Sequence, residues 1–126
     1  DCGVLDRIRF LGWRDDIGSL LASADILVCP SRHEPLGNVI LEGWARSVPV
    51  VAAASQGPSE LIVDGETGLL ARVDDAIELA EKINQALGDQ TAASAMTERA
   101  LADYEARFSK QAIVGQFRAL FEQVTG

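Results

Sequence analysis

Two short runs constrain this chain more than anything else in it. Ile26-Leu27-Val28-Cys29 is apolar throughout, and Val48-Pro49-Val50-Val51-Ala52 carries no polar side chain. Both are far shorter than the ~20 residues of a membrane span, so they read as buried strands. The chain between and after them has helical patterning. Strands that alternate with helices build a parallel sheet, so the expected class is α/β.

The remaining elements fit that frame. Ile8-Arg9-Phe10-Leu11-Gly12 alternates and ends at Gly, which predicts a short strand. Asp15-Asp16 opens a helix with Ile17, Leu20 and Leu21 as its apolar face, ended by Ser23-Ala24-Asp25. A helix is expected over 38–47, with Val39, Leu41, Trp44 and Ala45 available for packing. Ala53 to Pro58 reads as a loop, Ser59–Ile62 as one helical turn, and Asp64-Gly65-Glu66-Thr67-Gly68 as a turn before a last strand, Leu69-Leu70-Ala71. An amphipathic helix over 76–87 presents Ile77, Leu79, Ala80, Ile83 and Leu87 and stops at Gly88. A long helix starts near Thr91 and reaches about Phe108. Ser109 caps a final helix, to about residue 125, striped by Ile113, Phe117, Leu120, Phe121 and Val124.

Composition narrows the function. With 126 residues and 48% apolar content the chain is one domain with a real core. A net charge of −8 argues against nucleic acid and against a basic membrane patch. No signal-peptide pattern is visible, and a reducing cytoplasm is the default expectation for its two cysteines. Cys2 and Cys29 have no metal spacing, and Cys29 reads as a buried small hydrophobe. Asp64-Gly65-Glu66 has the outline of an acidic metal motif, but its glycines make it a turn, and no metal ligands are expected.

The chemistry concentrates after the first apolar run. In Glu34-Pro35-Leu36-Gly37-Asn38-Val39-Ile40-Leu41-Glu42 a strand has ended, a loop carries one carboxylate, and a helix opening at Gly37 or Asn38 carries a second about one turn in. In open α/β sheets, ligands bind outside the carboxyl ends of the strands. Free N–H groups at a helix start suit phosphate oxygens. Carboxylates beside them accept hydrogen bonds from sugar hydroxyls, so the constellation reads as a nucleotide-sugar site. Read alone, Glu34 and Glu42 are more readily solvated acids, and Asn38 is a helix cap at the same place where an anion would sit. His33, the one histidine, reads as an exposed loop residue. Arg32 is placed to pair with Glu34, approach a phosphate, or lie on the surface. Trp13 reads as a packed core aromatic in preference to a residue flanking the base.

An ordered set of short motifs adds a family resemblance. Pro30-Ser31, the Glu34-to-Glu42 pair with Gly37 inside it, Pro49-Val50-Val51, Glu60-Leu61-Ile62 and Gly65-Glu66-Thr67-Gly68-Leu69-Leu70 follow one another. This resembles the donor-binding half of the family 4 (group 1) retaining glycosyltransferases, which have the GT-B fold. The resemblance implies a partial Rossmann-like, three-layer domain with C-terminal helices, and a metal-independent enzyme without cofactor. By the same resemblance, Glu34 contacts the donor sugar near the reacting carbon and Glu42 holds both ribose hydroxyls. Leu36, Gly37, Asn38 and Val39 hold the diphosphate, and the backbone at Phe10, Leu11 and Gly12 reads the base. Glu60 is expected to cap backbone N–H groups. Ser47 stands where the family often has Gly before Pro-Val-Val, and Gln56-Gly57 replaces a common Gly-Gly.

What the resemblance leaves out is equally specific. The acceptor, an envelope glycan or lipid, would be held by an N-terminal domain absent from this chain, and the basic pair that holds the pyrophosphate has no counterpart here. The chain therefore reads as one part of an enzyme, inactive alone, cytoplasmic or peripheral at the inner membrane face. Ile8–Gly12 would be strand three of a 3-2-1-4-5-6 sheet without its neighbours. It is expected to pair anew, either beside Ile26–Cys29 or across a dimer formed at the exposed sheet edge. Two further readings remain: a nucleotide-sugar binding or regulatory module without catalysis, and an acidic scaffold that binds no nucleotide.

Overall fold

The computed structural model describes residues 3–126; Cys2 lies outside them. Three parallel strands form the sheet: β1 (Leu27–Cys29), β2 (Val50–Ala53) and β3 (Leu69–Ala71), in that order. Leu27 pairs with Val50, and Val51 in turn with Leu69. Both apolar runs are strands as expected, and the order is that of strands four to six in the expected sheet.

Among the described residues, six α-helices accompany the sheet: α1 (Ile17–Ala22), α2 (Asn38–Trp44), α3 (Gln56–Leu61), α4 (Ala76–Gly88), α5 (Gln90–Arg107) and α6 (Lys110–Thr125). Successive strand residues face opposite sides, which divides the core in two. Val50 and Ala52 point into one layer with Cys29, Ile40, Trp44, Ile62 and Ala100. Val51 points into the other with Leu69, Ala86 and Met96. The central strand is buried along its whole length. α2 packs on β1 and β2, α4 on β2 and β3, and α5 touches both α2 and α4. Side-chain caps fix the later helices: Asp75 accepts from the Glu78 N–H, Asp89 from that of Ala92, and Ser109 from that of Ala112. The Ser109 cap is where the sequence places it.

Several expectations fail. Ile8–Gly12 is no strand and pairs with neither edge of the sheet; Phe10 is 91% exposed and Trp13 is 100% exposed, so Trp13 is no core aromatic. Alternation supplies side-chain faces, but a strand also needs a neighbour to take its N–H and C=O groups, and none of the described residues offers one. α3 begins at Gln56 instead of Ser59, because Ser55 leads into it in extended conformation and Pro58 is tolerated in a first helical turn. Glu60 is exposed on α3 and accepts no hydrogen bond among the described residues, so it caps nothing. On α1 only Leu21 is buried. On α4, Ile77 and Leu87 stay exposed, while Leu79, Ile83 and Ala86 make the packing. Asp16 does not cap α1; its carboxylate is turned back onto Arg14 Nε at 2.6 Å, and that guanidinium holds it below the usual carboxylate range.

Candidate functional site

The site is built on the connection from β1 to α2. After Cys29 the chain leaves the sheet through Pro30 and Ser31, and α2 opens eight residues after Pro30, at Asn38. Gly37 makes the corner, at φ 74°, a left-handed conformation that L side chains adopt only with strain. Glu34 closes the corner twice. Its Oε1 accepts the Gly37 N–H at 2.9 Å, and its backbone carbonyl accepts the Gly57 N–H at 2.7 Å, from the first turn of α3. The other carboxylate oxygen of Glu34 makes no hydrogen bond among the described residues, and the side chain is only partly buried.

Helix geometry sets the rest. The N–H groups of Asn38 and Val39 precede the first intrahelical bonds, which run from Ile40 and Leu41 to the Gly37 carbonyl, and they make no bond among the described residues. Ile40 and Trp44 are buried and anchor the helix, at 0% and 1% exposure. Glu42 lies on the opposite face and is exposed. It borders a depression of about 180 Å³ shared with Ile17, Gly18, Leu21 and Arg46. Thus one side of Glu42 is α1, the helix that directly follows the Phe10–Gly12 segment. That segment is exposed coil, and no hydrogen bond ties it to α2 among the described residues. Of the residues singled out, Glu34, Leu36, Gly37, Asn38, Val39 and Glu42 follow one another along the corner and α2, with Gly37 buried, whereas Phe10, Leu11 and Gly12 lie in exposed coil ahead of α1.

A second concavity, about 640 Å³, lies over the C-terminal ends of the strands, with Ser31, His33, Ala53 and Arg72 on its walls. Arg32 does not pair with Glu34. It bridges this groove to Asp74, on the turn after β3, through an ion pair that raises its guanidinium's affinity for the proton. Asp74 itself adopts φ 63°. His33 is exposed at the rim. Asp64 accepts the Leu70 N–H at 2.8 Å and meets Lys82 Nζ at 3.2 Å, so the acidic turn serves the fold.

Sequence reasoning missed three residues here. Gly57 was visible only as a departure from Gly-Gly. Asp74 is distant in the chain from Arg32, and Arg46 beside Glu42 carried no motif.

A three-stranded parallel sheet between helical layers, with a carboxylate-lined corner outside the C-terminal end of β1, is the arrangement of an open α/β domain whose site lies beyond the strand ends. Residues 1–89 match the family described as glycosyl transferases group 1, and the chain belongs to that family. It is 42% identical over 120 residues to the lipopolysaccharide core biosynthesis glycosyltransferase LpsE of Rhizobium meliloti, covering 95% of this chain and 35% of that protein. It is 34% identical to the N-acetyl-alpha-D-glucosaminyl L-malate synthase of Bacillus anthracis, covering 96% of this chain and 32% of that one. The chain thus spans about a third of the length of these relatives. Among solved structures, Anabaena HepE in complex with UDP superposes with a TM-score of 0.90 at 34% identity, over 96% of this chain and 34% of HepE. HepE with UDP-glucose gives a TM-score of 0.87 at 32% identity, over 96% of this chain and 34% of HepE. The architecture is that of the C-terminal domain of a GT-B glycosyltransferase.

Proposed function

We propose that residues 1–126 are the donor-binding domain of a retaining glycosyltransferase that needs no metal ion or cofactor. The donor is a nucleotide-diphospho-sugar. The observation that carries this reading is the doubly fastened corner. Glu34 is held by its own carboxylate and carbonyl, one of its carboxylate oxygens is left over, and the unengaged N–H groups of Asn38 and Val39 come next, with the exposed Glu42 one turn beyond. HepE, whose fold this chain shares, is known bound to UDP and to UDP-glucose, which supports the same ligand class here.

In this reading the free oxygen of Glu34 accepts a hydrogen bond from a hydroxyl of the donor sugar. The backbone at Leu36, Gly37, Asn38 and Val39 approaches the diphosphate. Glu42 takes both ribose hydroxyls, since its two oxygens can accept the two O–H bonds of a cis-diol. Phe10, Leu11 and Gly12 meet the base, ahead of α1. The domain contributes position and charge stabilisation rather than a proton relay. The acceptor, an envelope saccharide or lipid by analogy with LpsE, is held by another part of the intact protein, at the cytoplasmic face of the membrane. No helix among the described residues is long and apolar enough to cross that membrane. Two copies of this domain would meet at the free edge of β1; a monomer at high micromolar concentration would exclude that dimer.

Calorimetric titration of the intact protein with UDP-, GDP- and ADP-sugars tests the reading. Saturable binding of one class is expected and identifies the base. A folded protein that binds none would leave an acidic scaffold as the better account.

A further inference from the structure

We infer that Gly57 is a positioning residue for the donor site, acting through the Glu34 corner; the inference rests on the donor-binding reading above and adds a residue to it. Gly57 sits in α3, on a different element from the Glu34–Glu42 pair, and reaches the site only by its backbone. Its N–H donates to the Glu34 carbonyl at 2.7 Å. Among the described residues this is the one hydrogen bond from another element that fastens the Glu34 backbone, while the Glu34 side chain fastens Gly37.

The packing there leaves no room for a side chain. A methyl group on Gly57 would lie 2.6 Å from the Gly37 nitrogen, 2.7 Å from the Glu34 carbonyl oxygen and 2.7 Å from the Leu36 carbonyl carbon. All three neighbours are backbone atoms, so none can swing away as a flexible side chain would. They are also the atoms of the corner itself. Gly57 is buried and has a helical, right-handed conformation open to any residue, so conformational freedom is not what the position requires. It requires the absence of a Cβ. Any larger residue must push the Glu34–Gly37 corner outward or break the Gly57–Glu34 bond. Either change moves the Glu34 carboxylate and the N–H groups that follow it together.

Gly68 supplies the control. A methyl group there meets Ile62 and the Val50 carbonyl at 3.1 Å, which disturbs the core without touching the corner. In the intact protein, UDP-glucose, GDP-mannose and ADP-glucose are titrated calorimetrically against wild type, Gly57→Ala and Gly68→Ala, each at a temperature where its melting curve shows it folded. Overpacking of this severity predicts at least about tenfold weaker binding of the recognised donor by Gly57→Ala. Gly68→Ala is expected to melt lower and bind as wild type does. Gly57→Ala that binds like wild type, or Gly68→Ala that weakens binding as much, overturns the inference and leaves the donor site standing. A wild type that binds no donor overturns the donor reading and this inference with it. Should Gly57→Ala not fold, hydrogen exchange on the wild type decides: donor should protect the amides of Glu34, Leu36 and Gly37 and that of Gly57 together, and protection of those three without Gly57 overturns the coupling.

Discussion

Glu42 does nothing for the fold. It is exposed on a helix held by Ile40 and Trp44, and its carboxylate has no partner among the described residues. Replacing it by Ala should therefore leave the melting temperature in place while removing hydrogen bonds to a charged acceptor, worth about 1.5–3 kcal/mol, or more than tenfold in donor affinity. Calorimetry on the intact protein reads both quantities. Glu34→Ala differs, because that carboxylate also satisfies Gly37; stability and binding should fall together. Ser47 offers the opposite test. It adopts φ 55°, in the turn where the Val48 N–H returns to the Gly43 carbonyl to end α2. A left-handed residue with a Cβ costs about 1–2 kcal/mol, partly offset on substitution by the greater unfolded freedom of Gly. Ser47→Gly should stabilise the domain by roughly 1 kcal/mol in denaturant unfolding. An unchanged or lower midpoint would mean that the turn is not strained. The family's frequent Gly at this place has its physical reason in that backbone angle.

Among the elements, α4 is held at its start by charges. Asp75 caps it, and Arg72 meets Asp75 at 2.6 Å and Glu78 at 2.8 Å. Glu78 also accepts the Arg72 N–H at 2.8 Å; this bond, followed by the guanidinium, holds its carboxyl below the ordinary value. A depressed carboxyl contributes stability that is present above its unfolded value and is lost as pH falls through the folded one. The melting difference between wild type and Glu78→Gln should therefore be present at neutral pH and close in acid, below the usual glutamate range. A difference that persists there would assign it to packing. None of this was legible beforehand: the helical stripe located α4, but which of its apolar residues are covered depends on a sheet that extends only to β3. Ile77 and Leu87 lie on the periodic face and remain in solvent. The same holds at Ile8–Gly12, where a two-residue period is real and a pairing partner is not. By contrast the β1–α2 corner was legible in outline, because its Gly and its two acids are local in sequence; of the expected packing residues Val39, Leu41, Trp44 and Ala45 only Trp44 is fully buried, and Ile40 is the anchor that the stripe did not single out. The Arg32–Asp74 bridge and the Gly57–Glu34 bond join distant segments, and no local pattern announces them.

For the molecule as a whole, charge decides what this domain can do alone. Its net charge is −8, and the corner itself presents carboxylates and backbone N–H groups. Of the cations nearest in the fold, Arg32 is committed to Asp74, and Arg46 stands beside Glu42 and Gly18. A departing nucleoside diphosphate carries several negative charges, and stabilising them is the larger part of catalysing sugar transfer by position and electrostatics. Amide dipoles at one short helix do not supply that alone. We therefore expect the 126-residue chain to bind the donor more weakly than the intact protein and to catalyse no transfer. The comparison is release of nucleoside diphosphate from the recognised donor, with and without lipopolysaccharide core saccharide, by both proteins at equal concentration. Turnover by the intact protein alone would place the missing positive charge and the acceptor site outside this domain. Turnover by residues 1–126 alone would show that the Glu34 corner and its N–H groups suffice, and would refute the division of labour proposed for it.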